Sequence, residues 1–244
     1  MSIKIQNKTA LITGANRGIG KSIVESFLEN GVKKVYLAVR KLDSVKNLVL
    51  KYGDKVEAVK VDLTDIDSIK KLATQAQDVE ILVNNAGVLI PADPLSQGAE
   101  AALTQELNVN TFGLLRIAQA FKPILEKNKG SAFIQLNSIA SIKNFTDFTT
   151  YSASKAASYS ITQGLKESFA PIGIHVLSVH PGPIATDMAI VAGIEEGSEP
   201  ASVVSLGIIK ALEKGVFHLF PDSLAKDFES AYESYSTNVI EAVA

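Results

Sequence analysis

Short apolar runs that alternate with amphipathic stretches constrain this chain more than any other feature. The runs at residues 8–13, 35–39, 56–61, 80–84, 131–137 and 174–180 are each five to seven residues long and read as buried strands. After the first run, Ile23, Val24, Phe27 and Leu28 recur at helical spacing, and Gly31 follows as a C-terminal cap. A polar amphipathic stretch covers 43–51, and Thr64-Asp65-Ile66-Asp67 reads as a capped helix start. Behind that start, Ile66, Ile69, Leu72, Ala73 and Ala76 trace one face. A long helical region covers 99–127, with a bend or break expected near Gly113 or Pro123, and another helix covers 151–169. The tail reads as a helix at 201–214, a short strand at 216–220 and a polar helix over 222–236. Strand and helix thus alternate at least six times through short connections. Parallel strands need crossovers, so this order predicts a parallel sheet covered by helices on both faces. A closed eight-strand barrel would need about two more strand–helix units than this length offers.

Composition narrows the class of partner. Hydrophobic residues make up 46% of the 244 and charged residues 20%, as expected of one globular domain spanning 1–244. A formal net charge of −2 offers no footprint for nucleic acid or an acidic membrane. The absence of cysteine excludes disulfides, thiolate chemistry and cysteine-held metal centres. The first residues lack a signal-peptide core, and no apolar run approaches the ~18 residues of a membrane span. A cytoplasmic protein is the expectation.

Between the first strand and first helix lies Thr13-Gly14-Ala15-Asn16-Arg17-Gly18-Ile19-Gly20. Glycines at 14, 18 and 20 permit a tight turn in which backbone N–H groups and the helix N-terminus meet a dinucleotide pyrophosphate. The fold expected is therefore Rossmann-like: a doubly wound parallel sheet of about seven strands in one domain. About 20 residues further on, an acidic residue would accept from the ribose hydroxyl of NAD. Here the second strand ends Val39-Arg40-Lys41. A guanidinium at that point suits a 2′-phosphate, and Arg17 can approach the same group. NADP(H) is preferred over NAD(H) on this reading, with Asp43 close enough to matter.

Tyr151 and Lys155 stand four residues apart in an alanine- and serine-rich helical run. That step sets both side chains on one face, about 6 Å apart along the axis. An ammonium so close to a phenol should favour the phenolate and lower the Tyr151 pKa from its ordinary value of roughly 10. Tyr151 would then exchange protons near neutral pH. His175, His180 and His218 show no metal-ligand or triad spacing and read as core or surface residues.

Taken in order, Thr13-Gly14-x-x-x-Gly18-Ile19-Gly20, Asn84-Asn85-Ala86-Gly87, Asn110, Ser138, Tyr151-x-x-x-Lys155 and Pro181-Gly182 resemble the short-chain dehydrogenase/reductase pattern. The likeness covers 8–188, about three quarters of the chain. It implies that Tyr151 is the general acid for a carbonyl oxygen, that Lys155 lowers the tyrosine pKa and binds the nicotinamide ribose, and that Ser138 holds the substrate oxygen. Asn110 would anchor a water chain to Lys155, with Asn108 a rival; Asn137 and Ser141 flank the serine assignment. Asp62 with Leu63 would meet the adenine, and Asn85, Ala86 and Gly87 would lie along the adenosine ribose. Pro181, Gly182, Ile184 and Thr186 would seat the carboxamide. Asn84 could be mainly structural.

The resemblance therefore implies an NADPH-dependent carbonyl reductase, reversible as an alcohol dehydrogenase, acting on a small-molecule ketone or aldehyde. The alternatives are a non-catalytic NADP(H) sensor or scaffold and, among enzymes, a 3-oxoacyl-carrier-protein reductase. Pairing through helices near 99–127 and 151–170 would give a homodimer or homotetramer. The expected substrate lid, 183–200, is short, with Met188, Ile190, Val191 and Ile194 apolar and Glu195-Glu196 acidic. Leu89, Ile90, Phe145 and Phe148 are expected at the same rim, which favours an apolar carbonyl compound. The segment Val216–Asp222 and the helix after it depart from relatives that reduce acyl-carrier-protein substrates.

Overall fold

The computed structural model describes residues 1–241. Seven strands form one parallel sheet in the order β3-β2-β1-β4-β5-β6-β7. They are β1 (Thr9–Thr13), β2 (Lys34–Val39), β3 (Val56–Lys60), β4 (Ile81–Asn84), β5 (Ala132–Leu136), β6 (His175–Val179) and β7 (His218–Leu219). The helices are α1 (Gly18–Glu29), α2 (Lys46–Tyr52), α3 (Ile66–Gln75), α4 (Ala99–Glu106), α5 (Gly113–Lys127), α6 (Thr149–Phe169), α7 (Asp187–Ala192), α8 (Ala201–Lys214) and α9 (Ser223–Tyr235).

The central strands are buried along their whole length, which is why they read as continuous apolar runs rather than alternating ones. One face is closed by Ile23, Val24 and Phe27 of α1 with Val204, Ile208 and Leu212 of α8. The other is closed by Leu72 of α3, Ile117 and Phe121 of α5, and Tyr159 and Phe169 of α6. Phe133 meets Phe169 edge-on at 6.0 Å, on this second face. Each fully buried phenylalanine contributes about 1.5–3 kcal/mol over an exposed one, so both layers are firmly held. After β3 the chain crosses back to the far side of β1, opening a crevice at the C-terminal ends of β1 and β4.

Two expectations shift, at the cap of α3 and at β7, and the break expected near Gly113 is found. The cap of α3 is Asp65, not Thr64: its carboxylate accepts from Asp67 N at 2.9 Å and Ser68 N at 3.2 Å. Thr64 instead gives its N–H and hydroxyl to Asp62. The long helix breaks just before Gly113, through a π-helical segment at Leu107–Phe112. Gly113 abuts the β3–α3 connection, where a Cβ would stand 3.0 Å from Leu63 Cβ, whereas Pro123 sits within α5 without ending it. β7 has only two residues, with Phe217 and Phe220 on either side in different hydrophobic clusters.

Candidate active site

A cleft of about 780 Å³ opens at the crevice beside β1 and β4. Gly14, Asn16, Arg17, Gly18, Ile19 and Gly20 line it from the turn between β1 and α1. Gly14 and Gly18 have φ of +67° and +52°, in the left-handed region that favours glycine. Gly20 is needed for space: a Cβ there would stand 2.2 Å from Gly14 O and 2.6 Å from Asn85 Nδ2. Asn85 Nδ2 donates to Thr13 O at 2.8 Å, while Thr13 Oγ1 accepts from Asn85 N at 2.9 Å and Ala86 N at 3.0 Å. These bonds lock the turn to the end of β4. Asn84 is structural, buried and bonded through Nδ2 to Gln135 Oε1 at 2.8 Å. The start of α1 has no side-chain cap and no acidic residue in its first turn. Its N–H groups are therefore available to an anion, so the residues present fit a pyrophosphate.

Arg40, Asp62, Leu63, Asn85, Ala86 and Gly87 continue the cleft. Arg40 is exposed at the end of β2. The Asp62 carboxyl is held below its ordinary value chiefly by the Thr64 hydroxyl and N–H, with the Arg40 charge adding to this. Arg17 also borders the cleft, but its guanidinium pairs with Asp187 Oδ2 of α7 at 2.6 Å. That pair is more than half exposed on both sides, so it stabilises little and is easily exchanged for another anion.

The inner end of the cleft holds Tyr151 and Lys155, both on α6 and both buried. Lys155 Nζ donates to Leu136 O at 2.7 Å and lies 5.7 Å from the Tyr151 ring centre. Asn110, in the π-helical segment, accepts from Val88 N at 2.9 Å and donates to Val88 O and Ser154 Oγ, each at 2.9 Å. A Cβ on Gly87 would stand 3.1 Å from Asn110 Oδ1 and 3.7 Å from Lys155 Nζ, which sets the asparagine and the lysine around one glycine. The rival, Asn108, accepts from Arg116 Nη1 at 2.9 Å and lines the cleft, whereas Asn110 lies outside its lining.

The expected lowering of the Tyr151 pKa by Lys155 is corrected here. Burial pushes the phenol well above its ordinary value; a hydrogen bond with Ser138 opposes the rise, and the Glu106 carboxyl adds to it. Burial also brings Lys155 down to about 8. A four-residue helical step gives proximity, but removing both groups from water favours the neutral form of each.

Ser138 stands beside the cleft's inner end on a shelf built from buried polar groups. Asn137 Nδ2 donates to Ser178 Oγ at 2.9 Å, which meets His180 Nε2 at 2.7 Å. His180 Nδ1 meets Ser141 Oγ at 3.0 Å, and Ser141 donates to Ser138 O. One tautomer, with the proton on Nδ1, lets every bond of the relay run in a single direction, while Asn137 Oδ1 is buried without a partner. Burial lowers His180 to about 3, so the relay stays neutral. Ser141 therefore belongs to the support of Ser138, whose Oγ accepts from Ala140 N at 3.1 Å, donates over a long 3.4 Å to Pro181 O and faces the Tyr151 phenol.

Pro181 and Thr186 line the cleft, whereas Gly182 and Ile184 lie outside its lining. Gly182 N donates to Asp222 Oδ2 at 2.7 Å, and a Cβ there would meet Asp222 Oδ1 at 2.6 Å. Ile184 is buried in the core and bridges to Glu199. Asp222 also caps α9 through Ala225 N at 2.9 Å, so one buried carboxylate ties the loop after β6 to the last helix. Sequence reading identified Asp222 only as a helix start, since its partner lies 40 residues away. Asp222→Ala is expected to lower stability by about 1–3 kcal/mol, read as a fall in melting temperature. An unchanged melting curve would contradict the tie. At the lid, Met188 reaches the cleft, but Ile190 and Val191 are each 62% exposed, and Phe145 stacks on Phe228 of α9 at 6.3 Å. Among the described residues no cluster of metal-ligating side chains occurs, and no helix is long and apolar enough to cross a membrane.

Comparison with known proteins agrees with this geometry. Residues 8–196 match the short chain dehydrogenase family profile. The chain is 31% identical to oxidoreductase UcpA of Salmonella typhimurium, over 98% of this chain and 94% of that one. It is 30% identical to an NADP-dependent 3-hydroxy acid dehydrogenase of Schizosaccharomyces pombe, over 77% of this chain and 76% of the relative. Its fold superposes on a short chain dehydrogenase from Burkholderia cenocepacia, solved in complex with NADP, with a TM-score of 0.88 and 30% identity, covering 97% and 99% of the two chains. With a family profile matched over most of its length and relatives at 30% identity or more along it, the chain belongs to the short-chain dehydrogenase family.

Proposed function

We propose that this protein is an NADP(H)-dependent carbonyl reductase, reversible as an alcohol dehydrogenase, that works on a small-molecule ketone or aldehyde. The observation that carries the reading is the position of Tyr151 and Lys155 at the inner end of the cleft whose outer end holds Arg40 and the uncapped start of α1. The relatives known as NADP-dependent or bound to NADP support the choice of nucleotide. Bound there, the nicotinamide supplies or takes up hydride.

The rest is done by the chain's own residues. The turn at 14–20 and the N–H groups of α1 take the pyrophosphate, and Arg40, joined by Arg17 once it leaves Asp187, takes the 2′-phosphate. Asp62 with Leu63 borders the adenine, and Asn85, Ala86 and Gly87 the adjoining ribose. Pro181 and Thr186 seat the carboxamide, with Gly182 and Ile184 fixing the course of that loop. Tyr151, kept as a phenol by burial, gives its proton to the carbonyl oxygen; in reverse the phenolate takes the alcohol proton. The Ser138 hydroxyl converges on the same oxygen and stabilises the charge that develops there. Lys155 and Asn110, gathered around Gly87, return the proton from solvent. Met188 borders the substrate end. Assembly as a homodimer or homotetramer in the cytoplasm accompanies this reading, as does a single domain over 1–244.

The test is oxidation of NADPH and of NADH against a panel of aldehydes and ketones, with Arg40→Ala alongside. Wild type is expected to favour NADPH, and losing one guanidinium–phosphate contact should weaken NADPH about ten- to a hundredfold, with NADH little changed. Tighter NADH than NADPH in the wild type would refute the assignment of Arg40.

A further inference from the structure

Glu106 ends α4 one turn before Asn110 and is fully buried, at 0% exposure. Its Oε1 accepts from Ile90 N at 2.8 Å. Its Oε2 is buried with no hydrogen-bond partner, and so is Thr150 Oγ1. The two orphans are neighbours: the Thr150 hydroxyl is the side-chain group against the Glu106 carboxyl. From the loop at 85–98 only the Ile90 N–H faces this carboxyl; from α6 it is faced by the Thr150 hydroxyl and, farther off, the Tyr151 phenol. None of the ion pairs among the described residues includes Glu106.

A carboxylate sealed from water with neutral neighbours and no cation is the unfavourable form. A carboxylic acid fits the same place: it has no charge to desolvate, and its proton can be given to the unpartnered Thr150 Oγ1, which as a hydroxyl both donates and accepts. We propose that Glu106 is a positioning residue held as a neutral carboxylic acid, accepting from Ile90 N–H on one oxygen and donating from the other to Thr150 Oγ1. It thereby ties the loop that follows Asn85-Ala86-Gly87 to the first turn of the helix carrying Tyr151. Backbone bonds reinforce the same seam: Ala92 N donates to Asp147 O at 3.0 Å, and Thr149 N to Ala92 O at 3.1 Å. Burial raises the Glu106 pKa, in keeping with the neutral form. A neutral Glu106 also spares Tyr151 a negative neighbour, which would otherwise oppose formation of the phenolate. The catalytic consequence rests on the proposed role of Tyr151; the protonation state does not.

The sign of the pH dependence separates the two forms. A carboxyl whose folded pKa is raised binds more protons folded than unfolded, so its stabilising effect falls as pH rises from the unfolded value towards the folded one. Melting temperatures of the full chain and of Glu106→Gln, a neutral isostere, should be compared from about pH 5 to about pH 9. The advantage of the glutamine variant is expected to grow above the ordinary glutamate value of 4.5 and then level off. A difference that shrinks with pH, or stays flat, would overturn the proposal, as would failure of the isostere to fold.

Activity gives the second readout. Thr150→Val, which removes the acceptor, should lower kcat about three- to tenfold with the nucleotide KM unchanged, and Thr150→Ser should restore it to within about twofold. An unaltered kcat in Thr150→Val would overturn the positioning role. If the wild type reduces no carbonyl, the reading of Tyr151 fails, while the melting comparison still decides the state of Glu106.

Discussion

Tyr151→Phe is expected to lower kcat for carbonyl reduction by about 10²–10⁴-fold, the range supplied by a positioned general acid. The ring stays, so the buried packing around it is kept, and the lost hydroxyl faces Ser138. Melting should therefore change little, and NADPH affinity should stay within about threefold, since the cradle at 14–20 is untouched. The direction of the pKa shift adds a second signature. Because burial raises the phenol, reduction draws on a proton that is present throughout the neutral range. Alcohol oxidation needs the phenolate, whose population rises about tenfold per pH unit below the pKa. The wild-type oxidation rate should climb with pH across neutrality, and Tyr151→Phe should flatten that climb. Turnover that survives the substitution would remove Tyr151 from the mechanism.

Gly20→Ala is expected to have the second largest effect, on nucleotide binding and stability together. The added carbon would lie 2.2 Å from Gly14 O and 2.6 Å from Asn85 Nδ2. The nearer atom is backbone, so the turn itself must move, and moving it breaks the bond from Asn85 Nδ2 to Thr13 O. Overpacking of this kind costs about 1–3 kcal/mol, and displacement of the N–H cradle should weaken NADPH at least about tenfold. Gly164→Ala is the matched control. That glycine lies exposed within α6, with nothing within 4 Å of the added carbon, and alanine there should stabilise by about 0.5–1 kcal/mol. If Gly20→Ala binds NADPH as the wild type does, the cleft is not the nucleotide site.

The layout of the fold was legible because its strands are buried on both faces and therefore appear as unbroken apolar runs. The turn at 14–20 was legible because tight backbone geometry leaves glycine as its residue. What escaped were effects of burial and of distant partners. Spacing put Tyr151 and Lys155 together but could not show that both lie out of water, so the sign of the tyrosine shift was misread. Glu106 carries no motif or spacing that marks it out, yet it is sealed between a loop and α6. The bond from the Gly182 N–H to Asp222 spans 40 residues and leaves no mark in the spacing. The break expected near Gly113 was legible and falls at Leu107–Phe112, where Gly113 approaches Leu63.

The central claim is hydride exchange between NADPH and a carbonyl carbon, with the proton supplied by Tyr151. Its most direct test is deuterium transfer from NADPH labelled at the nicotinamide C4, followed by mass spectrometry of the product alcohol, for wild type and Tyr151→Phe in parallel. The account predicts label on the carbinol carbon with the wild type and its formation slowed about 10²–10⁴-fold in the variant. Alcohol formed without label, or label transferred equally fast by the variant, would contradict it.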